Sequence, residues 1–286
     1  MLVAACNPGP TASPLTTLEP TAGAPTPSPG GSGVVSPGPS TDGAALRIYL
    51  VLGFGGQTGL VPVVRPATDG GAGPEAAIRA LLRGPIDAES SARPAVYTAI
   101  PNGVELRELV IEGGVAQADQ TGAFEAATED GLPTAMRVAQ VVFTLTHDPV
   151  VESVRLRIDG ALVTSIGPDG YPQDRPFTRA DFTDQLPPLF VDQPAWGATI
   201  ASPVRVAGLA NAFEATFQVR IAEAEDRALA AGAVTASCGT GCWGDFDVEV
   251  PFSIQASGPG VLQVFELSPR DGARQNLREY PLALVP

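Results

Sequence analysis

The sequence contains no lysine, so arginine supplies all 17 of its basic side chains, and the formal net charge is −14. Aromatic residues are also scarce, at 6% of the chain. An acidic surface repels the phosphate backbone of DNA and RNA, and a protein with few aromatic side chains has little surface on which bases can stack. We therefore expect no nucleic-acid partner.

Histidine is nearly absent as well, since His147 is the only one. A zinc site needs about four ligands, and a serine–histidine–aspartate triad needs a histidine as its base. His147 follows a predicted helix, where it is interpreted as a residue that interacts with the C-terminal end of the helix dipole. We therefore predict no catalytic residue, no metal site and no cofactor.

No run of residues is long and apolar enough to span a bilayer. The N-terminus nevertheless reads Met1-Leu2-Val3-Ala4-Ala5-Cys6, which is how a bacterial lipobox ends, with the cysteine that becomes lipid-modified. A complete secretory signal has a basic segment and about 7–15 apolar residues before the cleavage site. We expect residues 1–6 to be the remnant of such a signal and Cys6 to hold the protein outside the cell membrane. A chance cysteine in an apolar N-terminus is the alternative.

Residues 7–43 are predicted to be a disordered tether. They contain nine prolines and seven glycines, mixed with serine and threonine, and almost no charge. Such a segment cannot bury enough apolar surface to offset the entropy lost on folding. Proline-rich chains extend by about 3.1 Å per residue, so the tether could hold a folded domain on the order of 100 Å from the membrane.

Residues 44–166 are predicted to form an α+β domain with a mixed sheet and two main helices. Leu46, Ile48, Leu50 and Leu52 alternate along a strand, and Leu60 to Arg65 returns as its partner. A helix is predicted from Pro74 to Arg83. A second runs from Thr134 to Thr146, because Val138, Val141, Val142 and Leu145 recur at helical spacing. Two hairpins, Val104–Ala118 and Val154–Val163, complete the domain.

Residues 188–286 are predicted to form an all-β sandwich of the immunoglobulin type. Seven short strands with turn signals between them fill about 100 residues. Residues 167–187, rich in proline, aspartate and arginine, are interpreted as the linker between the two domains.

Short motifs in both domains are similar to those of known families. In the first domain they are Leu60–Arg65, Ala80–Pro85, Thr98–Pro101, Gln140–Thr146 and Asp159-Gly160. With these residues the first domain resembles the GerMN domain, also called the sporulation and spore-germination domain. In the second domain the motifs are Gly208, Asn211–Phe217, Val234–Ala236, Cys238–Cys242 and Val250–Phe252. With these residues the second domain resembles Gmad2, an immunoglobulin-like domain associated with spore-germination proteins. Domains of these two families occur in envelope proteins, some of which are lipoproteins that accompany sensor kinases. The resemblance therefore implies an envelope protein, and it implies no defined catalytic chemistry.

Cys238 and Cys242 enclose Gly-Thr-Gly. In an exported protein they could form a structural disulfide that pins a loop. A redox pair would need basic or helical surroundings that activate a thiol, and none is evident nearby. A redox pair, metal ligands and free thiols are the alternatives to the disulfide.

Three features could contact a substrate or partner. Asp245, Asp247 and Glu249 share one face of a strand and could be imagined as glycosidase carboxylates, although a solvated outer face is the simpler interpretation. Trp196 and Trp243 are candidate contact residues.

We predict a non-catalytic lipoprotein that presents two interaction domains to an envelope protein or a cell-wall component. A peptidoglycan- or polysaccharide-binding protein is the first alternative, and a cell-wall hydrolase is the second.

Overall fold

A computed structural model describes residues 16–17, 45–54, 57–67, 71–128, 131–223 and 225–286. Cys6 and all of the predicted tether except Thr16 and Thr17 lie outside the described residues. Those two threonines form a two-residue strand, β1 (Thr16–Thr17).

The first domain is an α+β domain, as predicted. Its strands and helices, in chain order, are β2 (Ala45–Phe54), β3 (Gln57–Pro66), α1 (Pro74–Leu82), α2 (Asp87–Ser90), β4 (Val96–Tyr97), β5 (Leu106–Glu112), β6 (Val115–Gln120), α3 (Thr134–Leu145), β7 (Ser153–Ile158), β8 (Ala161–Leu162), β9 (Ser165–Ile166) and β10 (Tyr171–Pro172). An antiparallel sheet has the strand order β3-β2-β4, and a mixed sheet has the order β5-β6-β7-β8, in which β6 and β7 run parallel.

The predicted helix from Thr134 is α3, which ends one residue earlier than predicted, at Leu145. Its apolar stripe is buried, but so is Gln140, with 0% exposure. The amide of Gln140 is satisfied there, because its Nε2 donates to the backbone oxygen of Tyr49 at 2.9 Å and its Oε1 accepts from the backbone nitrogen of Ala99 at 2.8 Å. A polar side chain in the core therefore joins α3 to β2 without leaving an unpaired group.

A buried ion pair closes the end of α1. The guanidinium of Arg65 on β3 contacts both carboxylate oxygens of Glu89 on α2, and it also donates to the backbone oxygens of Ala80 at 3.1 Å and Gly84 at 2.9 Å. Because Arg65 donates hydrogen bonds to carbonyl groups at the C-terminal end of α1, it helps to satisfy the backbone acceptors that a helix leaves unpaired there.

The predicted linker 167–187 contains ordered structure that packs on the first domain. Phe177 forms a backbone bridge with Val154 of β7, through hydrogen bonds of 2.8 and 2.7 Å. The rings of Tyr171, Phe177 and Phe182 lie with their centroids 5.4–6.0 Å apart, and Arg179–Gln185 forms a 3₁₀ helix. Three aromatic residues thus give this proline-rich segment the apolar surface that it needs to pack.

The second domain is a β-sandwich, as predicted. Its strands are β11 (Leu189–Gln193), β12 (Thr199–Ile200), β13 (Val204–Ala210), β14 (Thr216–Glu223), β15 (Ala228–Thr235), β16 (Gly244–Val250), β17 (Gly258–Leu267) and β18 (Arg274–Leu284). One sheet has the strand order β11-β13-β16, and the other has the order β1-β15-β14-β17-β18-β12. All seven predicted strands are present, and a short eighth strand, β12, lies beside β18.

Among the helices that the structure describes, none combines the length and the apolar character needed to cross a membrane.

Candidate functional site

The two domains meet at a junction formed by β2 and β3 on one side and by β11 with the residues after it on the other. The backbone of Trp196 joins this junction, because its nitrogen donates to Pro62 at 2.8 Å and its oxygen accepts from Val64 at 3.2 Å. The side chain of Trp196 is half-buried, and its indole nitrogen finds no hydrogen-bond partner among the described residues. Trp196 therefore lies between the domains, where it packs against the core.

Asp192 is the central charged residue of the junction. It lies where the register of β11 against β13 shifts between Val191 and Gln193, so it is the extra residue of a β-bulge, a feature that re-aims a side chain. Its carboxylate accepts a hydrogen bond of 2.5 Å from the hydroxyl of Tyr49. Its backbone oxygen accepts from Arg47 at 2.7 Å. Both of these partners belong to β2 of the first domain.

Arg179, from the 3₁₀ helix that precedes the second domain, completes the cluster. It donates to Thr146 Oγ1 at 2.9 Å, to the backbone oxygen of Phe143 at 3.0 Å and to the hydroxyl of Tyr49 at 3.1 Å, and its Nη1 lies 3.4 Å from Asp192 Oδ2. Its guanidinium also covers the rings of Tyr49 and Phe143, at 5.1 and 4.7 Å from their centroids. One arginine thus links α3, β2 and β11 through hydrogen bonds and cation–π contacts.

The charges at the junction act on one another. Partial burial acts to raise the pKa of Asp192, but the guanidiniums of Arg179 and Arg47 outweigh it and hold that pKa below its usual value. Burial raises the pKa of Tyr49 well above its usual value. At neutral pH the junction therefore holds one carboxylate between two guanidiniums, with a neutral tyrosine donating to it.

A second region of interest is the end of the sandwich that carries the disulfide between Cys238 and Cys242. The loop that the disulfide closes, Cys238–Cys242, is hydrogen-bonded to residues 211–215, which precede β14. Thr240 donates from its backbone to Ala212 at 2.9 Å, Gly241 donates to the side chain of Asn211 at 3.1 Å, and Glu214 donates to the hydroxyl of Thr240 at 3.1 Å. Two loops are therefore fixed to each other at this end, which we call the disulfide end.

Phe213 is the exposed apolar residue of the disulfide end. It is 57% exposed, although its backbone nitrogen is bonded to the carboxylate of Glu266 at 2.8 Å. Glu214 and Ala215 follow it with φ angles of 53° and 58°, a left-handed conformation that non-glycine residues adopt only when the surroundings impose it. Trp243, beyond the disulfide, is half-buried. The fold thus holds an aromatic side chain in solvent on a constrained loop.

Comparison with known proteins identifies both domains. Residues 47–164 match the Germane family model, described as sporulation and spore germination, and residues 189–273 match Gmad2, described as the immunoglobulin-like domain of bacterial spore germination. The chain carries a GerMN domain followed by a Gmad2 domain. No curated protein matches it.

Solved structures that match the chain include two from the sporulation protein GerM of Bacillus subtilis. Its first GerMN domain is 20% identical, with a TM-score of 0.39, over 49% of this chain and 100% of that chain. Its tandem GerMN domains are 18% identical, with a TM-score of 0.42, over 73% of this chain and 61% of that chain. A candidate lipoprotein from Clostridium perfringens is 15% identical, with a TM-score of 0.33, over 50% of this chain and 91% of that chain.

The acidic strand face of the Gmad2 domain is solvated. Asp245, Asp247 and Glu249 on β16 are all exposed, while the residues between them are buried. Asp247 forms a two-point pair with Arg205, at 2.8 and 2.7 Å. The interpretation of these acids as a solvated outer face is therefore confirmed. Within the described ranges, no group of three or more histidine, cysteine, aspartate or glutamate side chains is arranged to hold a metal ion.

A cavity of about 230 Å³ lies beside the junction, between the GerMN and Gmad2 domains. Its polar lining includes Arg47, His147, Gln193 and Arg205. Burial, with a further contribution from Arg47, lowers the pKa of His147 to about 4. The imidazole is therefore neutral near pH 7, so it is not the charged cap of α3 that the sequence predicted.

The sequence-based candidates and the structural clusters overlap only in part. Cys238, Cys242 and Trp243 lie at the disulfide end, Trp196 lies at the junction, and Cys6 is outside the described residues. The junction cluster itself was not predicted. The sequence feature that could have indicated this cluster is the second face of β2, where Arg47 and Tyr49 alternate with the apolar residues that were predicted to be buried.

Proposed function

We propose that the protein is a non-catalytic lipoprotein of the cell envelope, anchored through Cys6, whose GerMN and Gmad2 domains act together as one interaction unit. The observation that carries the interaction role is Phe213, which is 57% exposed on a loop that the disulfide loop and Glu266 hold in place. Exposed aromatic residues on constrained loops lose little entropy on binding, and they are frequent anchors of interfaces.

The junction supports a joint role for the two domains. Asp192 of the Gmad2 domain is bonded to Tyr49 and Arg47 of the GerMN domain, and Arg179 contacts residues of both. Such a network fixes the orientation of one domain on the other. A partner could then contact surfaces of both domains without first ordering a flexible connection.

The anchor is tested by labelling cells with a radioactive fatty acid. The gene is expressed with a complete upstream signal, as wild type and as Cys6→Ser. We expect the label to appear on the wild-type protein and to be lost from Cys6→Ser, because the thiol of the lipobox cysteine is the acceptor. Equal labelling of both proteins would refute the anchor.

The interaction role is tested by cross-linking in intact cells, followed by capture of the protein. The variant Phe213→Ala is compared with the control Val150→Ala. Val150 is an equally exposed apolar residue of the GerMN domain (57% for both), and its side chain is shortened in the same way. We expect the yield of cross-linked partner to fall about ten-fold or more in Phe213→Ala, as for a residue that dominates an interface, and to remain unchanged in Val150→Ala.

Pull-down on purified peptidoglycan separates a protein partner from a wall polymer. If peptidoglycan retains the wild-type protein but not Trp243→Ala, the partner is a polysaccharide and the proposed protein partner is wrong. Equal cross-linking yields from wild type, Phe213→Ala and Trp243→Ala would exclude the disulfide end as the contact surface.

A further inference from the structure

We propose that the outer edge of β15 is a strand-addition site, and that the chain's own tether occupies it through Thr16 and Thr17. Strand β1 pairs with β15 in parallel, with Thr16 opposite Gly232 and Thr17 opposite Ala233. Addition of an extended segment to an open sheet edge is a general mode of peptide recognition, in which the main chain supplies the hydrogen bonds.

The edge of β15 has the composition of a pairing site. Its sequence, Ala-Leu-Ala-Ala-Gly-Ala-Val-Thr, contains no charge and no proline. An edge strand presents unpaired backbone groups, and proteins usually protect such edges with charged residues, proline or bulges. The register irregularity between β14 and β15 lies near Ala222 and Ala228, which leaves residues 230–235 as a regular, unprotected edge.

The other sheet of the sandwich provides a contrast. Strand β16 ends that sheet, and it carries three exposed carboxylates, Asp245, Asp247 and Glu249. A second acidic strand is repelled from such an edge, whereas β15 carries no comparable protection. The edge that lacks charge is the one that β1 covers.

The tether sequence independently favours this position. Leu15-Thr16-Thr17-Leu18-Glu19 lies between Pro14 and Pro20 and is the longest stretch of residues 7–43 without proline or glycine. Proline cannot donate a backbone hydrogen bond to a neighbouring strand, whereas threonine and other β-branched residues are enriched in strands. The tether therefore contains one segment that is suited to strand pairing, and β1 lies within it.

Pairing at β15 would shorten the reach of the tether, a consequence that rests on the proposed lipid at Cys6. Without pairing, residues 7–44 separate Cys6 from β2, which corresponds to on the order of 100 Å of extended chain. With β1 paired, only residues 7–15 separate Cys6 from the Gmad2 domain, or about 30 Å at the same rise per residue. The site would thus set how far from the membrane the Gmad2 domain is held.

The test is hydrogen–deuterium exchange on the full, unlipidated chain, so its outcome does not depend on Cys6. The variant Thr16→Pro/Thr17→Pro removes both backbone donors of β1. A matched variant, Thr21→Pro/Ala22→Pro, carries the same two substitutions elsewhere in the tether. We expect the amides of β15 that face β1, around Gly232 and Ala233, to exchange about three- to ten-fold faster in Thr16→Pro/Thr17→Pro, because opening of the edge exposes them. They should exchange at the wild-type rate in the matched variant, and the amides of β15 that face β14 should be unchanged in both variants.

Equal exchange in all three proteins, or equal acceleration in both proline variants, would overturn the proposal. The wild-type measurement is also made at two protein concentrations about ten-fold apart. Pairing within one chain gives the same protection at both concentrations, whereas protection that rises with concentration would show that the occupant of β15 is a second copy.

Discussion

Replacement of Asp192 by asparagine is expected to lower the free energy of unfolding by about 2–4 kcal/mol. The substitution keeps the size of the side chain but removes the charge that lies between Arg179 and Arg47. Loss of one partner of a buried ion pair is strongly destabilising because the remaining charge stays desolvated without compensation. Asp192 retains 28% exposure of its side chain, so the expected loss lies at the lower end of that for a fully buried pair. Urea denaturation followed by tyrosine and tryptophan fluorescence measures it.

Asp247→Asn is the matched control. Asp247 also pairs with an arginine, Arg205, but on the outer face of β16, where its side chain is 53% exposed. Exposed ion pairs contribute about 0–1 kcal/mol, so this variant is expected to remain close to wild type. Equal losses in the two variants would show that the junction network does not stabilise the protein more than a surface pair does.

The response to acid gives a second readout for Asp192. The pKa of this carboxylate is lower in the folded protein than in the unfolded chain, so its contribution to stability is complete above the unfolded value, about 3.9. The contribution is lost as the pH falls through the lower, folded pKa. The stability difference between wild type and Asp192→Asn should therefore be constant above about pH 5 and should shrink in stronger acid.

Replacement of Gly208 by alanine is expected to lower the free energy of unfolding by about 3 kcal/mol or more. Gly208 lies in β13 between β11 and β16, opposite Val191 and Phe246. A β-carbon at this position would lie 2.0 Å from the backbone oxygen of Phe190 and 3.0 Å from the ring of Phe246. The closest atom belongs to the backbone of β11, so relief of the contact must displace the strand that carries Asp192.

Gly258→Ala provides the control for this prediction. Gly258 is also a strand glycine, at the start of β17, but a β-carbon there would meet no atom within 4 Å. Its stability is expected to lie within about 0.5 kcal/mol of wild type, because the substitution mainly restricts the unfolded chain. Both variants are measured by urea denaturation. A Gly208→Ala protein as stable as Gly258→Ala would contradict the close packing of β13 against β11.

The amino-acid sequence predicted the main helices and the seven longer strands of the second domain, because the patterns that encode them are local. The helical spacing of apolar residues in α3, the alternation along β16 and the seven short strands of the Gmad2 domain each depend on neighbours only a few residues apart. The disulfide between Cys238 and Cys242 is the structural alternative among those that the sequence left open for this pair.

The two sides of β2 show where that information ends. The alternation of Leu46, Ile48, Leu50 and Leu52 predicted one buried face. The structure also buries Tyr49 and Val51, each with 0% exposure. The ring of Tyr49 packs against Phe143 of α3, and its hydroxyl donates to Asp192 of the second domain. The periodicity of apolar residues along one strand does not reveal whether residues distant in sequence will pack against its other face.

Only the tertiary structure decided what lies at the domain junction and at the disulfide end. Tyr49 and Asp192 are 143 residues apart in sequence, and a β-bulge aims Asp192 at its partners. A loop with left-handed residues, hydrogen-bonded to Thr240 and Glu266, holds Phe213 in solvent. Contacts between residues far apart depend on the packing of whole domains, so composition and spacing predict the strands that carry these side chains but not which of them meet.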